Sequence, residues 1–345
     1  MSTCVYASTH LGSWALVSAR FVQLAWFNLL GSTCLVLLRR GASVTQTSVT
    51  PLIGSEALAQ LLTGSDVVVL DVTVHFPPAR FDGDYRPESG YAGWVDAHIP
   101  GSRHVDLMTT FSDRDASLHF TKPTAEQLSL DLAAAGIGVG STIVLYDQGS
   151  MTWASRLWWV LRNAGIDARV LDGGLAAWTW HGFPVESGDE GAPAHSVAPW
   201  GVVDLDLWAD RDDVAAVSAG TSSGTLVCAL SPEQFAGTEK TRYSRRGHIP
   251  GSRNLSAKSL LDDNGLMLPA TDVSVRAREL SASAAPIIIY CGGGVSACLS
   301  ALGLVISGYD AIKVYDGSLE EWTADPTLPM VTGIEPAEGD RCRES

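Results

Sequence analysis

Cysteine and positive charge are both scarce in this chain. Its six cysteines in 345 residues (Cys4, Cys34, Cys228, Cys291, Cys298 and Cys342) fall at spacings that match neither a zinc site nor a disulfide framework. That pattern predicts no metal and a reducing, cytoplasmic compartment. Lys and Arg number 23 against 38 Asp and Glu, for a formal net charge of −15, and no basic stripe runs along the sequence. The balance argues against nucleic acid as a partner. Long apolar runs are missing too, with one exception. Residues 21–38 are mainly apolar but hold Gln23 and Asn28, between Arg20 and Arg39-Arg40. A membrane span needs about 20 apolar residues, and no clear small-residue cleavage site follows. A membrane anchor, a targeting segment and an extension upstream of the true start remain open for residues 1–50. The expectation is an unstructured extension, with no membrane attachment unless residues 21–38 insert.

What the chain does have is one segment that carries chemistry. Ile287-Ile288-Ile289-Tyr290 is a β-branched apolar run that predicts a buried strand. Cys291 ends it, Gly292, Gly293 and Gly294 follow, and Val295, Leu299, Leu302 and Ile306 then repeat at helical spacing up to Gly308. A cysteine between a strand end and a helix start meets unpaired backbone N–H groups and the positive end of a helix dipole, a setting that favours the reactive thiolate. Three glycines let the backbone curl around the sulfur, so the loop of Gly292, Gly293, Gly294, Val295 and Ser296 is expected to cradle an anion. The alternative is a buried structural cysteine beside a tight turn, as expected for Cys298 on the following helix.

The sequence also repeats itself. His98-Ile99-Pro100-Gly101-Ser102-Arg103 returns as His248-Ile249-Pro250-Gly251-Ser252-Arg253. Val144-Leu145-Tyr146-Asp147 returns as Ile288-Ile289-Tyr290-Cys291, and Leu171-Asp172-Gly173-Gly174-Leu175 with Trp178 as Tyr315-Asp316-Gly317-Ser318-Leu319 with Trp322. Three ordered matches at nearly constant offset imply two copies of one domain. The expected boundaries are 51–187 and 201–333, joined by a Gly/Ala/Pro/Ser-rich linker at 188–200 and followed by a tail at 334–345. In the first copy, strands at Val67–Val72, Thr142–Tyr146 and Ala168–Asp172 alternate with helices at Ala125–Ala135 and Trp153–Ala164. Such alternation predicts an α/β fold, an open and mostly parallel sheet with helices on both faces, in each copy. Asp147 stands where the second copy has Cys291, so the first domain is expected to be catalytically silent. His98 and His248 lie in the repeated turn and are expected to be structural. Trp158 and Trp159 are expected in the core.

The loop Cys291-Gly292-Gly293-Gly294-Val295-Ser296-Ala297 resembles the active-site loop of the rhodanese family of sulfurtransferases, in its 3-mercaptopyruvate form more than its thiosulfate form. With the repeat, the resemblance covers about residues 50–333. It implies tandem rhodanese-like domains with the site in the cleft between them. It further implies transfer of a sulfane sulfur from 3-mercaptopyruvate or thiosulfate through a Cys291 persulfide, without a cofactor, to cyanide or a thiol such as thioredoxin. A small anionic donor needs cations. Lys240-Thr241-Arg242-Tyr243-Ser244-Arg245-Arg246 supplies four positive charges in seven residues. The resemblance points to Arg242 as a substrate arginine, with Arg245 or Arg246 able to substitute, and to His119 as a cleft histidine. The pattern departs from the family elsewhere. Gln234 replaces a second substrate arginine, Leu230 an arginine after a strand, Gly293 a loop serine, and Met108 an aspartate partner of the histidine. Two other readings stand beside it. A Cys-loop phosphatase would want an arginine at the loop end, where Ser296 and Ala297 lie. A sulfur-carrier or binding module with a degraded donor site would need no substrate shell.

Overall fold

The computed structural model describes residues 50–64, 67–189, 197, 200–278, 280 and 285–333. The apolar stretch at 21–38, the tail at 334–345 and most of the linker lie outside them. Among the described residues, no helix is long and apolar enough to cross a membrane.

Strands β1 (Leu52–Ile53) and β2 (Val67–Asp71) are followed by a short antiparallel pair, β3 (Val74–His75) with β4 (Glu88–Ser89), and then by β5 (Arg103–His104), β6 (Thr142–Tyr146) and β7 (Ala168–Leu171). The five longer-range partners form one parallel sheet in the order β1-β7-β6-β2-β5. A second parallel sheet contains β8 (Trp208–Ala209), β9 (Thr225–Cys228), β10 (Arg253–Asn254), β11 (Ile287–Tyr290) and β12 (Ile312–Tyr315), in the order β10-β9-β11-β12-β8. Read from its opposite edge, the first sheet has the same topology. The sequence repeat is therefore a repeat of fold, and β6 and β11 are equivalent strands.

Helices α1 (Ser55–Leu61), α2 (Tyr91–Asp96), α3 (Ala125–Ala134), α4 (Thr152–Asn163) and α5 (Gly174–Trp180) belong to the first copy. The second contributes α6 (Arg211–Ser218), α7 (Pro232–Ala236), α8 (Ala270–Arg276), α9 (Ser296–Ile306) and α10 (Ser318–Ala324). Sequence signals set the ends of several. Thr124 and Gln127 form a reciprocal capping box on α3, and Ser231 caps α7 with Pro232 at its first position.

Because side chains alternate across a strand, each sheet has two apolar faces. Val69, Val144 and Leu171 face one core with Trp178, while Leu226, Ile288 and Tyr290 face another with Trp322. The remaining faces, including Leu70, Leu145, Val227, Ile289 and Cys291, share a single core that runs through both domains. Helices α4 and α9 pack against each other inside it. Trp158 and Trp159 are buried there.

Both repeated histidines close turns. The Nδ1 of His98 lies 2.8 Å from the carbonyl of Trp94, and that of His248 lies 2.8 Å from the carbonyl of Phe235. Glu186, just before the Gly/Ala/Pro/Ser-rich linker, is bonded to the first domain, exchanging backbone hydrogen bonds of 2.9 Å with His98.

Candidate active site

Cys291 follows β11 directly, on the sheet face turned toward the first domain, and is 2% exposed. It borders a cleft of about 640 Å³. Gly292 and Gly293 line the cleft beside it, and Phe76, Tyr85 and Trp153 of the first domain close the other side.

The loop is held from outside. Gly294 adopts φ +70°, and a Cβ there would stand 2.5 Å from the carbonyl oxygen of Asp316, so the turn admits only glycine. Ser318 is buried with φ +48°, and its Oγ accepts the N–H of Cys291 at 3.1 Å and of Gly294 at 3.0 Å. The same hydroxyl donates to the Tyr315 carbonyl at 2.8 Å. A left-handed backbone at a buried serine is costly, and here the side chain fixes the loop's base in return.

Arg156 reaches across from α4. Its guanidinium donates to the carbonyls of Gly294 (3.1 Å) and Phe120 and to the Asp316 carboxylate (2.7 Å), and it lies over the Trp208 ring at 4.6 Å. A buried arginine of the first domain thus fixes the loop of the second.

The equivalent loop of the first domain shows what such a turn holds. Asp147 is buried, and its Oδ1 accepts the N–H of Gly149 (3.0 Å) and Met151 (2.8 Å). Its Oδ2 accepts from Trp153 (2.9 Å), Ala154 (3.4 Å) and the Ser150 hydroxyl (3.4 Å). Burial pushes the pKa of this carboxyl up, and the four amides act against that shift. At the repeat offset, Gly149, Met151 and Trp153 correspond to Gly293, Val295 and Ala297. The amides of those three residues make no hydrogen bond among the described residues. The fourth, Ala154, corresponds to Cys298, whose N–H donates to the Val295 carbonyl at 3.0 Å, so three of the four equivalent donors are unspent around Cys291 among the described residues. Gly294 corrects the sequence expectation: its amide is committed to Ser318, so it serves the turn and not the cradle.

Asp147→Asn would aim an amide N–H at backbone donors. Each buried group left unpaired costs about 1–3 kcal/mol. We expect a lower midpoint in thermal denaturation and, per folded molecule, a catalytic rate within about twofold of the parent. A native-like variant slowed by two orders of magnitude would show that the first domain's loop acts in catalysis.

The other described cysteines are poorly placed. Cys228 belongs to the core on the far face of its sheet, and the Sγ of Cys298 donates to the Gly294 carbonyl at 3.2 Å. Burial pushes both thiols up to about 12.

The cationic cluster divides. Arg242 borders the cleft, with its guanidinium 4.7 Å above the Phe76 ring, one nitrogen donating to Pro77 O at 3.0 Å, and a buried Nε without a partner among the described residues. Arg245 and Arg246 correct the sequence expectation. Arg245 donates to the carbonyls of Trp322, Thr323, Asp325 and Leu328, closing the end of α10, which commits four of its five N–H donors, and it does not border the cleft. Arg246 pairs with Asp82 at 2.9 Å, and together with the Thr241 N–H that holds Asp82 it staples the two domains. His119 also departs from the expected role. It does not border the cleft but stacks behind Tyr85, with its Nδ1 2.5 Å from Glu320 Oε1.

Four cleft or loop residues escaped the sequence reading: Tyr85, Tyr243, Lys258 and Ser318. Lys258 supplies a second cation to the cleft, from a 3₁₀ turn at Ala257–Leu260. Ser318 had a signal, because the first copy has Gly174 at that position, also left-handed with φ +56°.

Comparison with known proteins shows the family. A family model described as "Rhodanese-like domain" matches residues 55–180 and 236–325. A Mycobacterium tuberculosis protein provisionally named thiosulfate sulfurtransferase SseB is 32% identical over 284 residues, covering 81% of this chain and 95% of that one. The mitochondrial thiosulfate/3-mercaptopyruvate sulfurtransferase 1 of Arabidopsis thaliana is 31% identical over 308 residues, 81% of this chain and 78% of its own. The crystal structure of SseA from Escherichia coli, titled as a 3-mercaptopyruvate sulfotransferase, superposes with a TM-score of 0.67 at 25% identity, covering 78% of this chain and 99% of that one.

Proposed function

This chain belongs to the rhodanese-like family and is a sulfurtransferase, and we propose that it moves a sulfane sulfur through a persulfide on Cys291, with 3-mercaptopyruvate preferred to thiosulfate. The Cys291 thiolate attacks the outer sulfur of the donor and releases pyruvate or sulfite. A second nucleophile, cyanide in an assay or a protein thiol such as thioredoxin, then takes the sulfur, and two half-reactions sharing one covalent intermediate give ping-pong kinetics. What supports the reading most is the internal comparison of the two loops. Where one copy holds a carboxylate on four backbone amides, the other has three of the equivalent amides unspent around a cysteine among the described residues. Such donors stabilise an anionic sulfur without a metal.

The preference for the keto-thiol rests on where the cations lie. A compact dianion such as thiosulfate wants positive charge beside the sulfur, where this loop has Gly292 and Gly293. Arg242 and Lys258 border the same cleft without belonging to that loop, and suit a carboxylate several atoms from the reacting sulfur. Losing a hydrogen bond to a charged group costs about 1.5–3 kcal/mol, roughly ten- to a hundredfold in rate. Arg242→Ala should lower kcat/KM for 3-mercaptopyruvate by that factor. An unchanged value would remove Arg242 from the site, and a parent enzyme faster with thiosulfate would reverse the preference.

A further inference from the structure

Tyr85 lies between β3 and β4, in the stretch of the first domain that leans on the second. Its ring stacks on His119, with centroids 4.0 Å apart, and meets Phe76 edge-on at 5.1 Å. That packing carries the hydroxyl over the Cys291 loop. A Cβ at Gly293 would stand 3.2 Å from the Tyr85 hydroxyl and 3.4 Å from Glu320 Oε2. Glu320 is fixed in turn: its backbone N–H donates to the Gly292 carbonyl at 2.7 Å, and its Oε1 faces His119. Its Oε2 is buried without a hydrogen-bond partner among the described residues. The Tyr85 hydroxyl makes no hydrogen bond among the described residues and borders the cleft. Burial above all, then the charges of Glu320 and Cys291, push this phenol's pKa up, with Arg242 and Arg156 opposing, so the hydroxyl keeps its proton. An unpaired O–H beside the nucleophile's loop is placed to give that proton to something in the cleft.

Donor chemistry says what would need it. With thiosulfate, the leaving electron pair departs on sulfite, a stable anion. With a thiol next to a carbonyl, it departs on carbon as an enolate, which must be protonated. We propose that Tyr85 is the catalytic acid of the sulfur-donating step and fits the site to keto-thiol donors. This rests on the assignment of Cys291 as sulfur carrier.

The step balances without an outside reactant. A lone pair of the Cys291 thiolate forms the S–S bond, and the C–S bond breaks with its two electrons staying on carbon. The enolate takes the Tyr85 proton and becomes the enol of pyruvate. The phenolate recovers a proton from the former donor S–H, now the end of the persulfide. The site finishes as Cys291–S–S⁻ with Tyr85 protonated.

Tyr85→Phe keeps the ring and the stacking and removes only the O–H. The test is single-turnover sulfur loading of the full chain with each donor, following the mass of the protein. General acid catalysis is worth on the order of 10²–10⁴-fold, so loading from 3-mercaptopyruvate should slow by about a hundredfold or more, while loading from thiosulfate stays within about twofold. A parallel measurement needs no variant: in heavy water the parent enzyme should slow with 3-mercaptopyruvate and not with thiosulfate. Equal slowing of both donors in Tyr85→Phe, together with no donor-specific isotope effect, would overturn the assignment of Tyr85 alone. A parent enzyme that takes sulfur from neither donor would overturn both this and the assignment of Cys291.

Discussion

Cys291→Ser should lose sulfur transfer by roughly four orders of magnitude or more, the scale on which removal of a covalent nucleophile is felt. A serine hydroxyl does not ionise in reach of neutral pH, and an S–O link is no substitute for a persulfide. The same substitution at Cys228 or Cys298 should leave most of the activity. Cys228 lies in the core on the other face of the sheet from Cys291, and burial pushes both of these thiols up to about 12. A Cys291→Ser protein that turns over normally, or a Cys228→Ser protein that does not, would move the chemistry to another sulfur. Steady-state rates of the three variants with one donor decide this.

Arg156→Met should have the largest effect on stability. The guanidinium satisfies the Gly294 and Phe120 carbonyls and the Asp316 carboxylate, and Asp316 also accepts the Lys122 N–H at 2.8 Å. Methionine fills much of the same volume but offers these oxygens no donor, leaving the Gly294 carbonyl only the Cys298 thiol and Asp316 only the Lys122 N–H. Breaking a buried ion pair by removing one partner costs about 3–5 kcal/mol. The loss should show in urea denaturation as a lower midpoint. Activity of the folded fraction should fall too, because Gly294 sets the turn around Cys291. Arg156→Lys should recover part of the stability, since one ammonium can pair with Asp316 but cannot also span both carbonyls. A variant with unchanged midpoint and rate would mean that the first domain merely adjoins the loop.

The repeat made most of the architecture legible. Its offset of 144 residues aligned β6 with β11, and the structure gives the two sheets the same strand order. Apolar runs such as Ile287–Tyr290 named the buried strands directly, because a strand covered on both faces is apolar at every position. The nucleophile's setting was legible for the same local reason, since strand, Cys291, glycines and helix are contiguous. The substrate shell was not. Arg242, Arg245 and Arg246 look alike in a string of cations, and only the tertiary fold spends Arg245 on the carbonyls after α10 and Arg246 on Asp82. Tyr85 and Lys258 arrive at the cleft from segments far from Cys291 in sequence, so no spacing could announce them. Arg156 reads as one more helical position in α4, and its role appears only when α4 and α9 are seen packed together.

The central claim is that Cys291 itself carries the sulfur, and intact-mass and peptide mass spectrometry of the full chain test it most directly. Incubation with 3-mercaptopyruvate, without an acceptor, should add one sulfur atom, about 32 Da, to the peptide containing Cys291. Cyanide should then remove it. A stable gain on a different cysteine, or pyruvate released with no sulfur on Cys291 at any time, would contradict the account.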